Sequence, residues 1–343
     1  MVQKPGVRHY FAEGVTNRGY ISFLPNMMSE WERTYVLMGG PGTGKSTMIK
    51  MIGLEILDRG YEVDFMRSAR DPDSMAGFNV RNNNLAMLDQ YEVAPLRWRA
   101  PGIIEHFVDF TPFCDTQKLE HQRERILGLE NEEKKLQQEI GVRLAEEFGE
   151  KARGKRTIEP EPQGRSWLKN IYLSIDQDEE KDGPWSKVQG ALRQLQKSKV
   201  TSFFLHGLDS EGWLNFAPHY LTDYDQIRLE GKETSDAMDW VLKEAEQLGQ
   251  VIDIVLHPLY PEVIIGIIFP QRNLAIWQGS PEQLTDQGLD RPFSEELKSS
   301  LIKFQDARQL LKSIYMEVND FSRVDQLRDE LLTKILRDLE GLK

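Results

Sequence analysis

Cysteine is almost missing from this chain: one residue, Cys114, in 343. A single thiol rules out an intrachain disulfide framework and suits a reducing compartment. The N-terminal stretch MVQKPGVRHYF lacks the apolar centre of a secretory signal. Long hydrophobic runs are missing too. The longest, VIIGIIF at 263–269, is far short of the roughly 20 residues that span a bilayer. A cytoplasmic protein without a membrane partner is therefore expected. Positive charge is in deficit: 43 Lys and Arg against 55 Asp and Glu, a formal net charge of −12. Such a surface repels nucleic-acid backbones, so nucleic acid is not an expected partner. The short basic cluster Lys151, Arg153, Lys155 and Arg156 reads as a solvated linker. Six histidines lie scattered without ligand spacing, so no zinc or iron site is expected.

What the chain does have is a glycine-rich loop in a telling place. TYVLM at 34–38 reads as a short strand, and GGPGTGKST at 39–47 follows it. Next comes MIKMIGLEILDRG, whose Met48, Ile49, Ile52, Ile56 and Leu57 make a helical stripe that Gly60 ends. YEVDFM at 61–66 alternates as a strand, DPDS at 71–74 is a turn, and NLAMLD at 84–89 is an apolar strand ending in Asp89. This order predicts an α/β fold with a parallel sheet. From about 103 to 153 the composition shifts to Glu, Lys, Gln and Leu. Leu119, Ile126, Leu129, Leu136 and Ile140 predict a long amphipathic helix or hairpin, without a coiled-coil register. IEPEPQGR at 158–165 reads as a linker, and the chain is helical again from about 293.

The chain also repeats itself. YFAEGVTNRGYISFLP at 10–25 matches FFLHGLDSEGWLNFAP at 203–218 at Phe11/Phe204, Gly14/Gly207, Gly19/Gly212, Phe23/Phe216 and Pro25/Pro218. Further on, DRGYEVDFM at 58–66 lies over QLGQVIDIV at 247–255, Gly77 over Gly266, and NNLAMLD at 83–89 over RNLAIWQ at 272–278. Laid without a gap, YVLMGGPGTGKST falls on QIRLEGKETSDAM. Gly40 then meets Gly231, Gly42 and Gly44 meet Glu233 and Ser235, Lys45 meets Asp236, Ser46 meets Ala237, and Asp89 meets Gln278. On this reading the second loop has lost its lysine, its hydroxyl and its useful glycines, and has gained a carboxylate. It is expected to bind no nucleotide phosphate.

GGPGTGKS fits the phosphate-loop pattern G-x-x-x-x-G-K-[ST] at every fixed position. Glycines let backbone N–H groups turn inward, and the following helix N-terminus favours anions. Gly39, Gly40, Pro41, Gly42, Thr43, Gly44, Lys45, Ser46 and Thr47 are thus the candidate cradle for ATP. Lys45 would reach the β- and γ-phosphates, and Ser46 and the strand-end Asp89 would hold Mg2+. Asp71, Asp73 and Glu92 lie beyond strand ends and are candidates to position an attacking water. Arg97 and Arg99, and more remotely Arg228 and Lys232, could meet phosphate charge as a lid or finger.

HYFAEGVTNRG, GGPGTGKST, DPDS, LAMLD, APG at 100–102 and NDFSRVDQLRDELL together resemble an uncharacterised bacterial family of tandem P-loop ATPases, over nearly the whole chain. The resemblance implies two P-loop NTPase-like, parallel-sheet domains with helical arms, and gives Gly39, Gly44, Lys45, Ser46, Thr47 and Asp89 their family roles. Members tend to keep the loop in both halves and to follow the acid with Gly-Thr-Ala-Pro-His. Here the second loop differs, and QYEVAPL follows Asp89. The expected layout is a nucleotide domain at 1–157 with an arm at about 115–153, a linker and helix at 158–200, and a degenerate copy with a C-terminal arm at 201–343. The expected function is Mg2+-dependent ATP hydrolysis, with a protein partner possible through the arms. A small-molecule or nucleotide kinase and a non-hydrolysing nucleotide sensor are the alternatives. No Asn-Lys-x-Asp guanine-reading signal is present.

Overall fold

The computed structural model describes residues 7–17, 19–148, 199–231, 234–285 and 288–341. The basic cluster at 151–156, the 158–165 stretch and Lys232 lie outside them.

The first sheet comprises β1 (Arg8–Tyr10), β4 (Arg33–Met38), β5 (Val63–Arg67), β6 (Met75–Val80), β7 (Leu85–Asp89) and β8 (Glu105–Asp109). Their spatial order is β1-β5-β6-β7-β4-β8. A small hairpin, β2 (Glu13–Thr16) with β3 (Gly19–Ser22), and a short helix α1 (Leu24–Met28) precede β4. The helix α2 (Lys45–Asp58) follows it, and Gly60, at φ +88°, turns the chain back. Met48, Ile49, Ile52 and Ile56 bury the face of α2 against Tyr35, Leu37, Phe65, Phe78 and Met87.

The parallel sheet expected from the sequence is corrected to a mixed one. β6 runs antiparallel to both β5 and β7, while the other neighbours are parallel. The reason is chain length. Only a short turn through DPDS separates β5 from β6, and a short connection joins antiparallel strands, whereas a parallel pair needs a crossover. MAGFNV, with its glycine and asparagine, carries a weak strand signal of its own.

The second half repeats this layout in detail. Its sheet, β9 (Lys199–Phe203), β12 (Asp225–Leu229), β13 (Val251–Leu256), β14 (Ile264–Phe269) and β15 (Leu274–Gln278), has the order β12-β15-β14-β13-β9. The hairpin β10 (His206–Asp209) and β11 (Gly212–Asn215), the short helix α5 (Ala217–Tyr220) and the helix α6 (Thr234–Gln247) complete it. Two irregularities recur at matching positions. A bulge follows Met66 and Val255, and the only non-glycine residues at positive φ among those described are Asn84 (48°) and Asn273 (53°). Shared bulges and shared left-handed asparagines go beyond a common α/β pattern.

The halves pack about a local two-fold axis. Phe11 N–H donates to Phe204 O (2.8 Å) and Phe204 N–H to Phe11 O (2.9 Å), so one repeat position pairs with its own counterpart. This self-complementarity is the mark of an isologous interface. Phe11 stacks on Phe216 and Phe204 tilts on Phe23, again as a symmetric pair. Leu24, Met27, Met66 and Leu88 share one core with Leu205, Ala217, Val255 and Trp277.

Three long helices cover these sheets: α4 (Arg123–Phe148), preceded by the short α3 (Thr116–His121), and α7 (Glu295–Met316) and α8 (Phe321–Gly341). The stripe read from the sequence is the buried side of α4. Ile126 and Leu129 meet Leu311 and Ile314 of α7, and Leu136, Ile140, Leu144 and Phe148 meet Leu259, Tyr260, Phe293 and Leu297. Val324, Leu331, Ile335 and Leu339 of α8 enter the core of the first half. No helix among the described residues is long and apolar enough to cross a membrane.

Gly14 and Gly207 explain why the repeat keeps glycine there. A methyl on Gly14 would fall 2.9 Å from Phe204 Cε2, and one on Gly207 would fall 2.3 Å from Phe11 Cζ. Gly207→Ala is expected to lower stability in urea unfolding by about 1–3 kcal/mol, the usual range for overpacking. Gly14→Ala should cost less, and Phe11→Leu should recover part of the Gly207→Ala loss. An unchanged Gly207→Ala midpoint would show that the two rings do not hold the halves together.

Candidate functional site

β4 is buried from Thr34 to Leu37 and sits between β7 and β8, so the loop it feeds opens at the sheet edge one strand in from its end. The loop turns through Gly39 (φ +137°), Gly42 (φ +75°) and Gly44 (φ +94°), conformations that side-chain-bearing residues rarely adopt. Helices α3 and α7 begin with a side-chain cap, from Asp115 and Ser294. α2 begins from Gly44, which has no side chain to cap it. Its first amides are thus left to another acceptor, as at helix termini that bind anions.

Lys45, Asp89 and Ser46 come together at this end of the sheet. The Lys45 side chain is only 2 % exposed. Its Nζ donates to Gly39 O (3.0 Å), Gly40 O (2.5 Å) and Thr43 Oγ1 (3.2 Å), and lies 3.6 Å from Asp89 Oδ1. Thr43 Oγ1 in turn donates to Gly40 O (2.8 Å), and Pro41 is buried beneath the loop. Asp89 ends β7, the strand beside β4, and accepts from Tyr91 N–H at 2.9 Å. Burial pushes the Asp89 carboxyl up to about 6, against the pull of Lys45. Ser46 Oγ accepts from Met75 N–H (2.8 Å), which leaves its hydroxyl proton and a lone pair for other partners. Thr47 is exposed on the first turn of α2.

The C-terminal helices close over the loop. A methyl on Gly40 would overlap the Tyr315 ring, one on Gly42 would fall 2.5 Å from the backbone oxygen of Lys312, and one on Gly44 would fall 3.3 Å from Val324. Asn319, between α7 and α8, donates to Thr43 O at 3.3 Å. The loop glycines therefore serve two purposes: they free the amides and make room for this hairpin.

The hairpin also engages two of the three acids expected to position water. Lys312 Nζ bonds Asp71 Oδ2 and donates to Ser74 Oγ (3.1 Å). Burial pushes the Asp71 carboxyl up, but its bonds from Lys312 and Ser74 outweigh this and hold it below the usual range. Arg308 binds both oxygens of Glu92 at 2.7 Å and Glu133 Oε1 at 2.5 Å, and Ser68 Oγ donates to Glu92 at 2.7 Å. Asp73 is exposed on the turn. Arg97 is exposed, and Arg99 donates to Ser29 O (2.9 Å) and Trp31 O, tying down the end of α1. Arg228 pairs with Glu282 at 3.2 Å.

Four residues in this site carried no sequence signal: Tyr91, Arg308, Lys312 and Tyr315. The Tyr91 ring lies 5.9 Å from both the Lys45 ammonium and the Arg308 guanidinium. The other three come from a helix more than 200 residues downstream, where nothing local marks them. Ser74 was visible only as part of the DPDS turn.

In the second half the gap-free register across the loop is overturned. Strand pairing puts Leu37 opposite Asp89 and Leu229 opposite Gln278, so Gly39 corresponds to Gly231. The helices, Lys45–Asp58 and Thr234–Gln247, have equal length. Lys45 therefore corresponds to Thr234, not Asp236; Ser46 corresponds to Ser235, not Ala237; and Asp236 stands over Thr47. The second loop is three residues shorter. A hydroxyl survives at the helix start, while the lysine and the strand-end acid do not. A cleft of about 500 Å3 lies here, lined by Arg228, Glu230, Gly231, Thr234, Gln278 and Gln283.

Ser46 Oγ and Asp89 are suited to meet a Mg2+ ion whose other ligands are phosphate and water, the usual arrangement for this ion. Among the described residues no group of three or more His, Cys, Asp or Glu could hold a metal by itself. Comparison with known proteins gave no match to any family model, curated protein or solved structure.

The raised Asp89 pKa has a consequence for stability. The folded protein holds this proton more tightly than an ordinary aspartate, with its value of 3.8. The ionised form therefore costs stability above about pH 6, and that cost fades as pH falls toward 4. Asp89→Asn is neutral throughout and leaves Lys45 its three loop oxygens. Its stability relative to wild type is expected to rise with pH through 6, because only wild type must ionise a buried carboxyl there. A stability difference that ignores pH, measured by urea unfolding from pH 5 to 8, would contradict this.

Proposed function

We propose that the first half binds ATP with Mg2+ in the loop Gly39–Thr47 and hydrolyses it, and that the second half is a copy that binds no nucleotide. The observation that carries this is the meeting of a buried lysine and a strand-end aspartate, 3.6 Å apart, at an uncapped helix start. The ammonium is held mainly by neutral loop oxygens, and it is well placed to trade the Gly39 and Gly40 carbonyls for phosphate oxygens. Lys45 and the α2 amides would hold the phosphates. Ser46 and Asp89 would hold Mg2+, which supplies positive charge to the phosphate oxygens. Water would add to the terminal phosphorus as its bond to the bridging oxygen breaks, giving ADP, phosphate and a proton released to solvent. The resemblance to tandem P-loop ATPases points the same way. In the second half Thr234 replaces Lys45 and Gln278 replaces Asp89, which supports a non-binding role.

One observation favours a second reading, a nucleotide-responsive switch with slow turnover. Glu92 and Asp71 are both held by cations of α7, so neither is free to orient a water until that helix shifts.

Equilibrium binding of a non-hydrolysable ATP analogue with Mg2+, and phosphate release from MgATP, test the proposal. Wild type is expected to bind one nucleotide per chain. Lys45→Ala should weaken binding by about 100-fold or more, since it removes several charge-assisted bonds, and should abolish release. Tight binding by Lys45→Ala, or none by wild type, would refute the proposal. Binding without release would select the switch, and release only with an added nucleoside monophosphate would select a kinase.

A further inference from the structure

We propose that Lys312 is the cation that contacts the terminal phosphate, leaving Asp71 to do so, and that the C-terminal hairpin thereby distinguishes a nucleoside triphosphate from a diphosphate. This inference rests on the nucleotide-binding reading above.

Position is the first argument. The backbone oxygen of Lys312 lies against Gly42, in the middle of the loop. Its ammonium donates to Ser74 Oγ, and the next residue, Met75, donates its N–H to Ser46 Oγ, the hydroxyl offered to the metal. Lys312 thus lies against the phosphate loop and bonds the residue next to the one that holds the metal-side hydroxyl.

The second argument compares the two cations on this face of α7, one helical turn apart. Arg308 is 3 % exposed and locked by bonds to Glu92 and Glu133. Lys312 is 16 % exposed and has one carboxylate partner. Arg308 anchors the helix, whereas Lys312 sits on a flexible stem with a single ion pair to exchange. The terminal phosphate as a group carries more negative charge than the one carboxylate it would replace, so the exchange is favoured when that phosphate is present.

The third argument comes from the repeat. The segments between β5 and β6 and between β13 and β14 have equal length, so Asp71 corresponds to Tyr260 and Ser74 to Val263. Pro72/Pro261, Asp64/Asp253 and Gly77/Gly266 are kept. What differs is the set around Lys45 and Lys312: the lysine, the strand-end acid and the two partners of Lys312. These residues differ together, as parts of one ligand site would, while those that shape the turn persist.

The test compares affinities for MgADP and for a non-hydrolysable triphosphate analogue with Mg2+, in wild type, Lys312→Gln, Lys312→Arg and Asp71→Asn. Glutamine is neutral and keeps the inner part of the stem, and Arg308 still anchors the helix, so the hairpin can stay in place; thermal melting checks this. Lys312→Gln is expected to change MgADP affinity less than about twofold. It should lower the preference for the triphosphate by about tenfold or more and slow single-turnover phosphate release by about 100-fold. Lys312→Arg should restore most of the preference. Asp71→Asn breaks the same ion pair but keeps the cation, so it should retain the preference. If Lys312→Gln weakens both nucleotides equally or neither, or if Asp71→Asn matches it, the pair only fastens the helix and the inference falls. If wild type binds neither nucleotide, the nucleotide-binding reading falls, and this inference falls with it.

Discussion

A buried ammonium dictates the arrangement at the heart of the first half. Lys45 is nearly sealed from water, and a charge in that position must be surrounded by oxygen. Its own loop provides three partners and Asp89 a fourth. To bring two carbonyls and a hydroxyl onto one ammonium, the loop must curl tightly, and it does so through glycines at positive φ. The curl leaves α2 uncapped, and the strand order places Asp89 beside β4. Loop, helix start and neighbouring strand are thus consequences of housing one charge. In the second half Thr234 stands where Lys45 does, and the loop is shorter.

The second organising element is the exchange of phenylalanines across the local two-fold. Phe11 and Phe204 each lean on a glycine of the other half, and the backbones pair between them. Fully buried aromatic side chains contribute on the order of 2–3 kcal/mol each by area, which suffices to join the halves along a shared core. The degenerate half therefore has a structural part regardless of any ligand. The long helices reinforce the union, since α4 packs on residues of the second half and α8 on the sheet of the first.

Much of this could be read from the sequence, and the gaps have physical causes. Gly14/Gly207 and Phe11/Phe204 announced the repeat because a mutual insertion constrains both residues at once. The stripe of α2 and the apolar strand ending in Asp89 were legible because burial imposes a period. β6 escaped notice because Gly77 and Asn79 dilute its pattern, and β8 because EHFVD at 105–109 opens a stretch otherwise rich in helix formers. The register of the second loop is hidden in the sequence because a deletion in a glycine-bearing turn leaves no periodic trace; the strand register and helix length reveal it. Lys312, Arg308 and Tyr315 were invisible for another reason. Their partners are set by how a distant helix docks, which no local spacing encodes.

The most direct measurement is a crystal structure with Mg2+ and a non-hydrolysable ATP analogue. It should show the polyphosphate in the Gly39–Thr47 loop, with the Lys45 ammonium moved from the carbonyls of Gly39 and Gly40 onto phosphate oxygens and the second loop empty. Density confined to the cleft near Arg228 and Thr234, or a Lys45 still bound to its own loop beside a ligand placed elsewhere, would contradict the account.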